Sequence, residues 1–313
     1  MSKNNRIENY NNWPARKKFS AEIKFIERLK ILGDQPCFTT YKLHDNENKD
    51  FHVTVSYLID AIDSLPLRPD HAFDWVWRAF EYLLYAIEPT KSNITERLRT
   101  KAIPIITTTL ESHNELSLAF IEFINEIPFQ TCEYLTKQII TNSPYDINKI
   151  PVKDLTPYAK RLVLKSGNPP GYSNKITSLL IKISENFNYT ETTERRKSAS
   201  LLKKSIQAEN IKLTDSINIK LGHDEVIFLL VSGLLYEFRN DRAHAQLITP
   251  FASSTAQIKT YAHCWYLFLF VYNLVIILLY SAKSPVKLDV CPSSNIKYNT
   301  AIFKELFGSH LTK

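Results

Sequence analysis

At 313 residues the chain is long enough to bury one large core or two modest ones, and at 44% hydrophobic and 23% charged residues it reads as a globular protein, not a disordered one. Only 6 Gly stand against 16 Tyr and 17 Phe, which argues against a glycine-rich phosphate loop or a turn-dense β-sandwich and for helices joined by short polar links. The net charge of +7 points to an anionic partner, of which nucleic acid is the commonest.

The first ~50 residues carry one amphipathic helix, Ala15 to Leu32, ended by Gly33. No apolar leader precedes it, so no signal peptide is expected. The 51–62 stretch is ambiguous, because FHVTV alternates like a strand while VSYLIDAID has helical spacing. Asp70 is placed to cap a helix from His71 to about Ile87, with Phe73, Trp77, Phe80 and Leu84 on one face and Pro89 as the stop. Further helices fit between Asn93 and Ser205, broken at Ile127–Pro128, Ser143–Pro144, the Gly167–Asn168–Pro169–Pro170–Gly171 turn and the Asn188–Thr193 stretch. Basic residues gather at Arg16–Lys17–Lys18, at Lys160–Arg161 with Lys165, and at Arg195–Arg196–Lys197 with Lys203–Lys204. Each group reads as a solvated helix face or as a phosphate contact.

The last third holds the two strongest helices. One runs from about His223 to His244 on a stripe of Ile227, Leu230, Val231, Leu234 and Phe238, with Pro250 beyond it. The other runs from about Thr255 to Ala282, and the two read as an antiparallel hairpin over 216–285. Within it, Cys264 to Tyr280 falls slightly short of the ~20 apolar residues of a membrane span and carries Asn273. A helix buried in a bundle or at a dimer interface fits it better than a membrane anchor at 264–280. After Pro285 a tail, 286–313, ends in a helix from Asn299 to Phe307. The four cysteines, Cys37, Cys132, Cys264 and Cys291, form no CxxC pair and no zinc spacing, so reduced thiols, a cytoplasmic location and no metal are expected.

The run Arg239–Asn240–Asp241–Arg242–Ala243–His244 sets two guanidiniums, an amide, a carboxylate and an imidazole at the end of an apolar helix. Arg suits bidentate phosphate contact, and His passes protons near neutral pH. RNA cleavage by its own 2′-hydroxyl needs a proton acceptor, a proton donor and positive charge on the phosphorane, and no metal. On a straight helix Arg239 and His244 lie about 140° apart, so either the helix kinks or frays there, or a second copy faces the first. The competing reading is a cationic helix C-terminus favoured by the macrodipole.

Arg239-Asn240-x-x-x-His244 resembles the R-x(4–6)-H motif of HEPN domains, in the form with Asn directly after Arg. The run Phe73–Asp74–Trp75–Val76–Trp77–Arg78–Ala79–Phe80–Glu81 is similar to the aromatic W-x-A-x-E opening helix of larger HEPN-like domains. The resemblance covers about a third of the chain. It implies an all-α helical bundle over 67–285 with extra helices, a helical insertion at 91–215, and an N-terminal basic segment at 1–66. It further implies a metal-independent endoribonuclease without cofactor, acting as a toxin or phage-defence effector. Arg239 and His244 become the catalytic pair, Asn240 and Arg242 their supports, and Glu81 a partner for Arg239. The expected partners are RNA, a second copy of the chain and an antitoxin or regulator. The alternatives are a HEPN-like module that binds RNA or dimerises without cutting, and a membrane-associated protein.

Overall fold

A computed structural model of the chain describes residues 2–12, 14–15, 17–89, 93–163, 172–212, 218–244, 249–253, 255–284, 286 and 288–311. Arg16, Lys165, the 167–171 turn and the Pro285 break lie outside them. The protein is 72% helical, so the class read from its scarce glycines holds. Among the described residues two short strands, β1 (Ile211–Lys212) and β2 (Asn218–Ile219), pair antiparallel.

The N-terminal helices are α1 (Ser2–Asn11), α2 (Ser20–Leu29), α3 (Lys49–Asp63) and α4 (Pro69–Ile87). The middle of the chain forms α5 (Ile94–Arg97), α6 (Ile103–Ser112), α7 (Asn114–Asn125), α8 (Phe129–Asn142), α9 (Pro157–Leu162), α10 (Tyr172–Asn186) and α11 (Thr192–Ile206). The last third holds α12 (His223–Leu229), α13 (Tyr236–Ala243), α14 (Ile258–Tyr280) and α15 (Ser293–Phe307).

Local chemistry explains where several boundaries fall. α2 starts at Ser20 and not at Ala15, because the Glu22 carboxylate accepts from the Phe19 amide at 2.8 Å and closes the first turn. Gly33, at φ 57, ends the 3₁₀ turn that follows α2. The ambiguous stretch is helix α3, with Asn48 Oδ1 accepting from the Asp50 and Phe51 amides at 2.8 and 3.1 Å. It buries Phe51, Thr54, Leu58 and Ala61, a helical spacing that overrides the alternation of FHVTV. Asp70 is not the cap expected of it. Arg68 holds that position, Pro69 opens the helix, and Asp70 sits wholly buried in the first turn. The tail helix begins at Ser293, ahead of the Asn299 read from the sequence.

The fold is organised around α14. Residues Tyr261 to Leu279 are all buried, since a helix that is apolar on every side must be surrounded. Its chief neighbour is α4, whose Phe73, Val76, Trp77, Phe80 and Leu84 are each at most 2% exposed. The other sides are closed by α2, α6, α8 and α15. Phe25 stacks on Tyr261 at 4.0 Å, Phe123 on Tyr266 at 4.9 Å, and Phe303 lies 6.1 Å from Tyr266. The 1–66 segment, the middle region and the C-terminal tail therefore feed one core. α14 has the length and hydropathy of a membrane span, and its most apolar window is 100% buried inside the protein.

The expected hairpin is loosened. α12 and α13 are joined by a π-helical segment, Leu230–Leu235, and this helix packs on α6, α8, α9 and α10 instead of chiefly on α14. A ring contact of 5.3 Å between Phe238 and His263 links it to α14.

His263 gives the core a pH signature. Its Nδ1 lies 2.9 Å from Thr131 Oγ1, and burial pushes its pKa down to about 4. Between that value and the ordinary ~6.5, the unfolded chain binds a proton that the folded chain refuses. Stability present above about pH 6.5 should thus fall as pH drops towards 4, by about 3 kcal/mol in the limit. His263→Gln, which keeps a polar partner for Thr131, should flatten that slope in chemical denaturation across the window. Equal slopes in variant and parent would contradict the assignment.

Candidate functional site

The motif helix reaches the surface through its π-helical turn. All of Leu230–Leu235 is buried, and α9 approaches closely at Gly233. There an added Cβ would come within 3.4 Å of the Leu162 δ-carbons and the Tyr158 hydroxyl. A second π-helical turn, Leu98–Ala102 between α5 and α6, packs against the first. Such turns widen the helix locally and recur near functional sites. Arg161 Nε donates to the Ser232 carbonyl of the first π turn at 3.3 Å, and its Nη2 binds the Glu237 carboxylate.

The polar run that follows divides into two sets. Asp241 is buried and accepts from the Tyr134 hydroxyl at 2.7 Å and from Gln138 Nε2 at 3.1 Å, which ties α13 to α8. Arg242 ties it to α4. Its Nε donates to Asp74 Oδ1 at 2.6 Å, its Nη2 to Asp74 Oδ2, and its Nη1 to Asp70 Oδ2 at 3.3 Å. Arg68 grips Asp70 from the other side at 2.9 Å. Burial works against ionisation of Asp70, yet Arg68 and Arg242 hold its carboxyl below the ordinary carboxylate value. Arg242 is thus bound by two carboxylates, and the free phosphate contact expected of it is not what its geometry provides.

Arg239, Asn240 and His244 form the second set. They line one cleft of about 620 Å³ together with Arg99, Lys160 and Arg161, and with the Glu96 carboxylate on the same wall. Arg239 is about one-third exposed, 3.5 Å from Glu81 Oε1 and 3.4 Å from Asn240 Oδ1. The Glu81 partner expected for it is in place. His244 is exposed and takes the C-cap position of α13 at φ −93 and ψ 7, its amide donating to the Asn240 carbonyl at 3.0 Å. His244 still makes the helical amide bond to Asn240, so its backbone keeps the phase of about 140° from Arg239, and the two side chains line the same cleft from different sides of α13. One chain brings both to one cleft.

Of the surrounding cations, Arg161 is committed to Glu237 and sits over the Tyr236 ring at 4.6 Å. Lys160 is exposed and donates to the Lys153 carbonyl at 2.6 Å, while the buried Nε of Arg99 has no partner among the described residues. The Lys160–Arg161 pair was visible in the sequence as a basic cluster. Arg99 carried no such signal, because it meets the motif only through the packing of the two π-helical turns. The other basic groups lie elsewhere: Arg195 pairs with Glu133 at 3.3 Å, and Lys203 Nζ donates to the Leu311 carbonyl at 2.7 Å. His71 sits 2.5 Å from Arg68 and His263 is a core residue. Among the described residues no group of three or more His, Cys, Asp or Glu is placed to hold a metal ion.

The arrangement offers a guanidinium for a phosphate, an imidazole for proton movement, and an amide between them, on a wall with further cations. Comparison with known proteins finds no matching family model, no matching curated sequence and no matching solved structure.

The anchor at Arg242 generates a stability prediction. Arg242→Met removes the cation shared by Asp70 and Asp74 and should cost about 3 kcal/mol, because a buried carboxylate loses half of its compensation. Asp74→Asn, at the more exposed carboxylate, should cost about 1 kcal/mol, and the double variant less than the sum. Strict additivity in a double-mutant cycle of denaturation free energies would contradict the clamp.

Proposed function

We propose that the protein is a metal-independent endoribonuclease of HEPN type. One observation carries the reading: Arg239, Asn240 and His244 open on a single cleft, while Asp241 and Arg242 of the same run turn into the protein and hold the helix. The substrate phosphate sits against Arg239, whose fixed charge stabilises the phosphorane. The RNA 2′-hydroxyl attacks the adjacent phosphorus and loses its proton, the bond to the 5′-oxygen breaks, and that oxygen takes a proton. The products are a 2′,3′-cyclic phosphate and a 5′-hydroxyl. His244 moves a proton in this exchange, Asn240 orients the imidazole or the phosphate, and Arg99 and Lys160 hold flanking phosphates. The resemblance in the motif extends the reading to a growth-arresting toxin or defence effector. Because Arg239 and His244 share a cleft within the chain, a second copy is not needed to unite them. The burial of α14 likewise leaves its apolar surface asking for no partner.

His244→Ala should abolish cleavage of single-stranded RNA and leave the melting temperature unchanged, since the side chain is exposed. Cleavage by the parent chain should persist in excess chelator, leave cyclic phosphate ends, and fail on RNA carrying a 2′-deoxy at the cut site. Strict metal dependence, or cutting of DNA, would contradict this chemistry. RNA binding with no cleavage would favour the non-catalytic module.

A further inference from the structure

A smaller cleft of about 270 Å³ lies beside the first, between α4 and α13, and Arg239 belongs to the lining of both. Its other walls include Asp74, Trp77, Arg78, Glu81 and Arg242. Asp74 and Arg242 are bound to each other, so two polar groups besides Arg239, the Glu81 carboxylate and the Arg78 guanidinium, remain to meet a ligand. Glu81 is an acceptor whose ion-pair partner is Arg239, at a loose 3.5 Å. Arg78 is an exposed donor that makes no hydrogen bond or ion pair among the described residues, its guanidinium lying 4.6 Å from the Trp75 ring centre. The Trp77 indole is 2% exposed and closes the cleft as an apolar wall, its Nε1–H buried and without an acceptor among the described residues.

The geometry points to a nucleobase subsite that reads guanine next to the cleaved phosphate, a proposal resting on the ribonuclease reading above. A second phosphate suits the cleft poorly, because the Asp74 and Glu81 carboxylates face it. The volume lies below the ~300–1,000 Å³ of drug-sized ligand sites, which matches one base and not a dinucleotide. The free groups are one carboxylate acceptor and a guanidinium donor. Guanine alone presents two neighbouring donors, N1–H and N2–H, to one carboxylate, and two neighbouring acceptors, O6 and N7, to a guanidinium. Uracil offers a single N–H, while adenine and cytosine donate only from an exocyclic amine. Glu81 takes the donor edge, Arg78 the acceptor edge, and shared Arg239 sets the base beside the scissile phosphate.

The test uses the full chain carrying His244→Ala, so that bound RNA is not cut. Fluorescence anisotropy compares short single-stranded RNAs with one guanine, inosine or adenine set among adenines. Inosine differs from guanine only by the missing N2 amine. The guanine RNA should bind about tenfold more tightly than the inosine RNA. Adding Glu81→Gln should bring the two to the same affinity. Equal affinity for all three RNAs, or no binding to any, would overturn the subsite. The inosine comparison needs no second variant and stands even if Glu81→Gln fails to fold. The two proposals fail separately. Parent chain that cuts RNA without regard to guanine retains the ribonuclease and loses the subsite. Guanine-selective binding by a parent chain that cuts nothing retains the subsite and loses the ribonuclease.

Discussion

One guanidinium between two carboxylates fixes the functional end of this molecule. Arg242 reaches from α13 to Asp74 and Asp70 on α4, and Arg68 closes the far side of Asp70. A fully buried carboxylate is tolerable only when paired, so α13 leaving α4 would strip Asp70 of one of its two guanidinium partners. Asp241 adds a second tie to α8 through Tyr134 and Gln138. With the helix held on two sides, its remaining polar side chains have one direction left, towards the cleft. Within one short run Asp241 and Arg242 are the anchors, flanked by Arg239, Asn240 and His244 at the cleft, and the anchors set where the others point.

That arrangement depends in turn on the core. α4 can serve as the fixed post because it lies along α14, which is buried from Tyr261 to Leu279. Rings from α2, α7 and α15 close around α14, so segments far apart in sequence support the same helix. The apolar stretch that resembles a membrane span or a dimer face is satisfied within one chain. The two π-helical turns, Leu98–Ala102 and Leu230–Leu235, meet between this core and the cleft. Through them Arg99 arrives opposite Arg239 and His244.

Much of the frame was legible in the sequence, and the reasons are physical. Periodicity marked the buried face of α4, the stripe Ile227, Leu230, Val231, Leu234 and Phe238, and the all-round apolar α14, because burial by a helix imposes a 3.6-residue spacing. The Arg239–Glu81 pair was anticipated from the resemblance alone. Other features left no local trace. Asp70 looked like a cap because Asp is common there, while its burial is decided by Arg68 and by Arg242, far away in sequence. Arg242 was placed with Asn240 as a support of the catalytic pair, while its commitment is decided by Asp74 and Asp70 on a helix far away in sequence. The phase argument holds for the backbone, since His244 keeps its helical amide bond to Asn240, but it could not foresee a cleft lined by both side chains. The π-helical turns follow from tertiary packing at sites such as Gly233 against Leu162 and Tyr158, which no local pattern announces.

The claim on which the account turns is that a nucleic-acid phosphate sits between Arg239 and His244 of one chain. Histidine ring resonances of the ¹³C-labelled protein, followed while a non-cleavable 2′-O-methyl oligonucleotide is added, address it directly. The account predicts that the His244 signal moves with the added strand, that buried His263 stays still, and that Arg239→Ala weakens the His244 response. An oligonucleotide that binds and shifts other histidines while His244 remains unmoved would contradict it.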